Sequence, residues 1–265
     1  MIRKTGGDDR GRPSGADPGE RHPLGKSVCL HLLPGLVFTI IYVLIVRSTA
    51  RNGVPPLLAF LIAGSLFLVP FELGVLLHQS KKRNRSFSLK GIVGFRNRIP
   101  KWQYVALPAL LFVWVYFIAL AVNPPLERAL VERFFSWVPQ PYFLESLVDQ
   151  AARYSRPLLV VSAVISLFLN GLLGPIVEEL YFRGYLLPRL SGLGSAAPLV
   201  NSVLFSLYHF FTPWQNPLRI LALTPVFYVV WLRKNIYVGI IVHCLMNLAG
   251  SSMLLAAILG SAGGR

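Results

Sequence analysis

Seven apolar runs separated by polar stretches constrain this chain more than any other feature. They cover roughly residues 29–46, 55–77, 102–122, 157–177, 197–211, 217–232 and 236–259. A helix needs about 20 residues, within a range of about 17–25, to cross the hydrocarbon core of a bilayer. The second, third, fourth and seventh runs meet that length outright, and the first is adequate. The fifth and sixth are short, which suits helices packed inside a bundle or spans with polar ends. The expected fold is all-α: a polytopic transmembrane helix bundle of six to seven spans. Composition agrees, since only 14% of the residues are charged, against about 25% in a soluble domain.

Between and before the runs the chain changes character. Residues 1–27 are rich in Gly, Pro, Asp and Arg without an apolar period and read as a disordered tail. Residues 28–122 hold the first transmembrane helices. Residues 123–156 carry Glu127, Arg128, Glu132, Arg133, Glu145, Asp149 and Arg153 among Leu, Phe, Trp and Tyr, interrupted by Pro124, Pro125, Pro139 and Pro141. One or two short amphipathic helices at the membrane interface are expected there. Residues 157–260 form the last helical unit. Cys29 and Cys244 are far apart and belong to no CxxC, so they read as buried free thiols rather than a disulfide framework.

The net charge of +15 raises nucleic acid as a partner, but its distribution points to the bilayer. Eight Lys and Arg residues fall between Lys81 and Lys101 with no acid among them, directly between two apolar runs. Such clusters set orientation and contact anionic lipid. The tail has six basic residues, whereas the loop between the first two spans has only Arg47 and Arg51. The tail and the 78–101 loop are therefore expected on the cytoplasmic side of a bacterial inner membrane, with no nucleic-acid partner. The oligomeric state is left open by the sequence.

Of the 11 acids, only Glu72, Glu178 and Glu179 lie inside apolar runs. A charge near the bilayer centre costs about 3 kcal/mol on insertion scales, so adjacent carboxylates there need partners or a task. Residues four apart share a helical face, and neighbours point about 100° apart. Glu179 is thus expected to pair with Arg183, leaving Glu178 to face elsewhere. Glu72 is expected to serve as a structural partner of a nearby Arg, Lys or His. His209 and His243 sit inside later apolar runs; Phe205 shares a face with His209, and Asn247 shares one with His243. Phe205 reads as packing.

These groups suit hydrolysis. A carboxylate or imidazole takes a proton from water as general base, and a histidine with an amide stabilises an oxyanion. Glu178, His209 and His243 are also a sufficient set for a catalytic zinc with an open position. HExxH and GxSxG are absent, as is an intramembrane Asp pair, which removes support from the common zincin, serine and aspartyl hydrolases.

At these residues the sequence resembles the CPBP family, which holds type II CAAX prenyl endopeptidases, Abi proteins and bacteriocin-processing proteins. The resemblance rests on Glu178-Glu179-x-x-x-Arg183, Phe205-x-x-x-His209 and His243-x-x-x-Asn247, in that order, across roughly residues 155–255. It implies an intramembrane endopeptidase in which Glu178 and His209 activate water, His243 and Asn247 stabilise the oxyanion, and Glu179 and Arg183 hold the site. The substrate would be a membrane-associated peptide or protein, CAAX-like, bacteriocin-like or other. The resemblance fits either a zinc enzyme or a metal-free water mechanism. Rival readings are a proton- or ion-coupled transporter and a non-catalytic immunity or scaffold member of the same family. A second copy of the Glu-Glu or His-x-x-x-Asn pattern, expected of a transporter with internal repeats, is absent.

Overall fold

The computed structural model describes residues 21–49, 52–139, 142–143 and 153–260. Among them the seven apolar runs become seven helices: α1 Leu24–Thr49, α2 Pro56–Asn84, α3 Gln103–Phe135, α4 Arg156–Arg189, α5 Ala197–Tyr208, α6 Asn216–Arg233 and α7 Ile236–Gly260. Helices α1, α2, α3, α4 and α7 are long and apolar enough to cross a membrane. Helices α5 and α6 are the short runs, and they pack against each other within the bundle. The chain is a multi-pass, all-α membrane protein.

Several elements differ from the sequence expectation. Most of the 1–27 tail lies outside the described residues, but Leu24–Ser27 already form the first turn of α1, with Ser27 buried. The segment after residue 122 does not break at Pro124 and Pro125. A wider π turn at Ile118–Val122 precedes them, and they occupy the first positions of the next α turn. A proline lacks the N–H that an α-helix interior requires, and this cost is least where the hydrogen-bond ladder is already reset. The helix consequently runs on to Phe135. One of its charged residues is half-buried: Glu127 accepts hydrogen bonds from Asn123 at 2.6 Å and from Gln215, just ahead of α6, at 3.4 Å, whereas Arg128, Glu132 and Arg133 are exposed. Glu145 and Asp149 lie outside the described residues. Cys29 is exposed and Cys244 half-buried; both are free.

Burial in this bundle follows membrane rules. The lipid-facing sides of α1 and α3 are as apolar as the interior, with Leu36, Ile40 and Leu44 on α1 and Leu110 and Val113 on α3 exposed. Hydrophobicity alone therefore does not drive helix association, and close packing and interhelical hydrogen bonds carry it. Gly35 on α1 is one such approach: a Cβ there would run into the Tyr208 carbonyl at the end of α5. Ser166 on α4 bonds Ser251 on α7 at 2.9 Å, and Ser202 on α5 bonds Thr224 on α6 at 3.1 Å. Each contributes on the order of 0.6 kcal/mol. A buried polar relay fixes α1 to its neighbours. His31 donates from Nδ1 to the Ser27 carbonyl at 2.6 Å, and its Nε2 accepts from Asn201 at 2.8 Å. Asn201 also donates to the Phe182 carbonyl at 3.2 Å.

The basic 85–101 loop is folded onto one end of the bundle. Ile92, Val93 and Phe95 are buried. Gly94 N–H donates to the Gly184 carbonyl on α4, and Ile236 N–H donates to the Phe95 carbonyl, both at 2.7 Å. Asn235, fully buried, donates to the Asn97 carbonyl at 2.6 Å. At the same end, His22 N–H caps the Arg189 carbonyl at 3.2 Å, and the His22 ring meets Tyr185 edge-on.

Burial, reinforced by Lys26 and Arg189, pushes the His22 imidazole down to about 4. Its folded value lies below that of a free histidine, about 6.5, so folding favours the neutral ring. The stability this confers is present above about pH 6.5 and is lost as pH falls towards 4. The thermal midpoint of the wild type, measured against His22→Phe in the same detergent, should decline between about pH 7 and about pH 4.5.

Candidate active site

The centre of the site is a buried ion pair. Glu179 and Arg183 are each 1% exposed, and Arg183 Nη1 lies 3.3 Å from Glu179 Oε1. They sit in a π-helical stretch, Glu179–Leu186, and a second π turn, Leu169–Leu173, precedes Gly174 and Pro175. Each π turn takes up an extra residue and rotates the helix face beyond it; such turns cluster at functional sites. The guanidinium is held between two aromatic faces, 3.9 Å from the Phe205 centroid and 3.8 Å from that of Phe227. A desolvated cation over a ring gains about 2 kcal/mol or more. Arg183 Nε has no hydrogen-bond partner among the described residues, so the rings on α5 and α6 take the place of some of the acceptors that water would offer.

Glu179 also orients a histidine. His243 on α7 donates from Nδ1 to Glu179 Oε1 at 3.0 Å. This close approach of α7 needs a glycine one helical turn earlier, because a Cβ on Gly239 would stand 2.5 Å from Glu179 Oε2. With Nδ1–H committed to Glu179, the other nitrogen of His243 faces Glu178: Nε2 lies 3.7 Å from Glu178 Oε2. The pair therefore splits as the helix geometry predicts. Glu179 is sealed with Arg183, whereas the Glu178 and His243 side chains keep 15% and 17% of their surface open.

His209 stands one residue beyond α5, on backbone that has left the helix, rather than inside a span. Its Nδ1 donates to the Phe205 carbonyl at 2.8 Å, which folds the ring back over the last turn. Both histidines meet the Phe205 ring edge-on. The Phe205 ring lies between them, with centroids 4.9 Å from His209 and 6.1 Å from His243. In a neutral His209, Nε2 is then left as an acceptor. Asn247 donates from Nδ2 to the Asn170 carbonyl in the first π turn of α4 at 2.8 Å; a side-chain amide carries two N–H groups, so one remains.

Among the described residues, no group of three or more His, Cys, Asp and Glu side chains is placed to hold a metal ion. The Glu72 expectation needs correction, because its hydrogen-bond partner is no cation. Tyr208 donates to Glu72 Oε1 at 2.8 Å and lies 3.4 Å from Glu178 Oε1. Tyr208, Phe227, Gly239 and the Asn170 carbonyl carry no sequence signal of their own. Glu72 did, as an acid stranded in an apolar run.

Residues 160–249 match the family model for the type II CAAX prenyl endopeptidase Rce1-like family. Over that segment the chain is similar to a family of membrane proteases. The match takes in α5, α6 and almost all of α4, together with His243 and Asn247 on α7. No curated protein and no solved structure matches the chain.

Breaking a buried pair by removing one partner costs about 3–5 kcal/mol. Arg183→Met should lower unfolding stability in detergent by about that amount, because Glu179 is left buried against His243 alone. Gly239→Ala should cost about 1–3 kcal/mol through overpacking against Glu179. It should also shift the His243 ring resonances in NMR spectra, since the added methyl displaces the carboxylate that holds the ring.

Proposed function

We propose that the protein is an intramembrane endopeptidase that hydrolyses a peptide bond of a membrane-associated substrate with activated water. The observation that carries this reading is the split of the acidic pair. One carboxylate is sealed into an ion pair that orients His243, and the other stays partly open with an imidazole nitrogen 3.7 Å away. Glu178, assisted by His209, takes a proton from water, and the hydroxide attacks the scissile carbonyl carbon. The carbonyl oxygen gains negative charge and is met by the free N–H of Asn247 and by His243, which donates from Nε2 when both ring nitrogens carry a proton. The proton then passes to the leaving amine. Glu179 and Arg183 keep His243 in place. The route is written without a metal, each step being carried by water and one of these side chains.

The family match supports a CAAX-type peptide as the first substrate to test, with a bacteriocin-like precursor as the second. The Lys and Arg distribution supports a cytoplasmic amino terminus and cleavage near the cytoplasmic face of a bacterial inner membrane.

Purified protein in detergent should cleave a fluorogenic prenylated peptide. Glu178→Ala should reduce kcat by about 10²–10⁴-fold, the usual range for loss of a general base. Asn247→Ala should reduce it by about 10²–10³-fold, as for loss of one oxyanion donor. Turnover by Glu178→Ala equal to wild type sinks the enzymatic reading. Incubation with a chelator should leave the rate unchanged; loss of activity restored by zinc overturns the metal-free route.

A further inference from the structure

We infer that Tyr208 and Glu72 form a positioning device for Glu178, in which Glu72 holds the Tyr208 hydroxyl and so keeps the Glu178 carboxylate free for water. This rests on the reading of Glu178 as the base. One half of it is outside the family match: Glu72 lies on α2, beyond residues 160–249.

The geometry is specific. The Tyr208 hydroxyl stands between two carboxylates, 2.8 Å from Glu72 Oε1 and 3.4 Å from Glu178 Oε1. A phenol has a single proton, and a strong hydrogen bond goes to one acceptor. The shorter distance assigns it to Glu72. Glu178 is left with a weak contact on Oε1 while its Oε2 faces His243. Without the competing acceptor, the same hydroxyl would turn to Glu178 and make a charge-assisted bond with it, the strongest kind available to a neutral donor. That bond would occupy the carboxylate which must accept a proton from water.

The hydroxyl is on a rigid arm. Tyr208 is 1% exposed; its ring packs edge-on against Phe182 with centroids 4.8 Å apart and stacks on Phe205 at 5.9 Å. Its carbonyl is closed against Gly35 of α1. The ring itself cannot follow either carboxylate, so only the direction of the O–H bond is adjustable. Glu72 is likewise 1% exposed and is carried by a helix that packs against α4 near Glu178. An acid this deep costs several kcal/mol unless its oxygens are bonded. Among the described residues, the one hydrogen bond to its side chain comes from the tyrosine that also touches Glu178.

The test compares Glu72→Gln, Tyr208→Phe and the double variant with wild type and Glu178→Ala, on the same peptide and with thermal midpoints taken in parallel. Glu72→Gln keeps the shape but weakens the acceptor, so the hydroxyl proton moves to Glu178. It should lower kcat about tenfold or more while KM changes less than about twofold. Adding Tyr208→Phe removes the misdirected proton, and the double variant should recover to within about threefold of wild-type kcat. A merely structural pair gives no such rescue, since the double variant would be as impaired as the worse single one. Unchanged kcat in Glu72→Gln, or a double variant no faster than Glu72→Gln, overturns the inference while loss of turnover in Glu178→Ala leaves the protease reading standing. Turnover in Glu178→Ala equal to wild type overturns both.

Discussion

The buried pair Glu179–Arg183 is the constraint around which this structure is organised. A carboxylate and a guanidinium are expensive to desolvate, and their mutual attraction offsets that cost only when the geometry and the surrounding contacts are good. Here the contacts come from four helices. α4 supplies both charges, α5 and α6 supply the aromatic faces on either side of the guanidinium, and α7 supplies the histidine and the glycine that lets it approach. Removing either charged partner leaves the other in an apolar interior. The pair thus works as a fixed post, and the position of His243 depends on it.

A second layer depends on that post. Glu178 is adjacent in sequence to Glu179, so fixing one sets the direction of the other, towards the open space shared with His243 and the Tyr208 hydroxyl. The space lies inside a bundle whose outer faces are apolar. In a water-poor site each hydrogen-bond donor counts for more than it would in solution. The folded basic loop closes one end of the same region, with Gly94 bonded to the carbonyl of Gly184, the residue next after Arg183.

Much of this was legible in the sequence because it depends on local geometry. The run lengths located all seven helices, and the i, i+4 rule paired Glu179 with Arg183 and released Glu178. The interpretation of Pro124 and Pro125 as a break failed because a π turn ahead of them absorbed the missing N–H, and hydrophobic periodicity carries no mark of such a turn. His209 was placed inside a helix for a related reason: the helix stops at Tyr208 while its apolar pattern runs on. A cation was expected for Glu72 because an isolated acid usually seeks one. A tyrosine whose hydroxyl is already wedged between two acids is invisible to any reading by charge.

By itself the sequence determined the membrane-spanning, all-helical character of the chain, the order of its polar motifs and which of two neighbouring glutamates shares a helical face with Arg183. These are consequences of segment length and of the fixed 100° turn per residue of a helix. Only the tertiary structure decided that His243 reaches both glutamates, that Gly239 makes room for one of them, and that a residue 136 positions from Tyr208 shares its hydroxyl with Glu178. Those contacts join different helices. Their existence depends on crossing geometry and on π turns that rotate a helix face, quantities set by close packing of the whole bundle rather than by the spacing of residues along the chain.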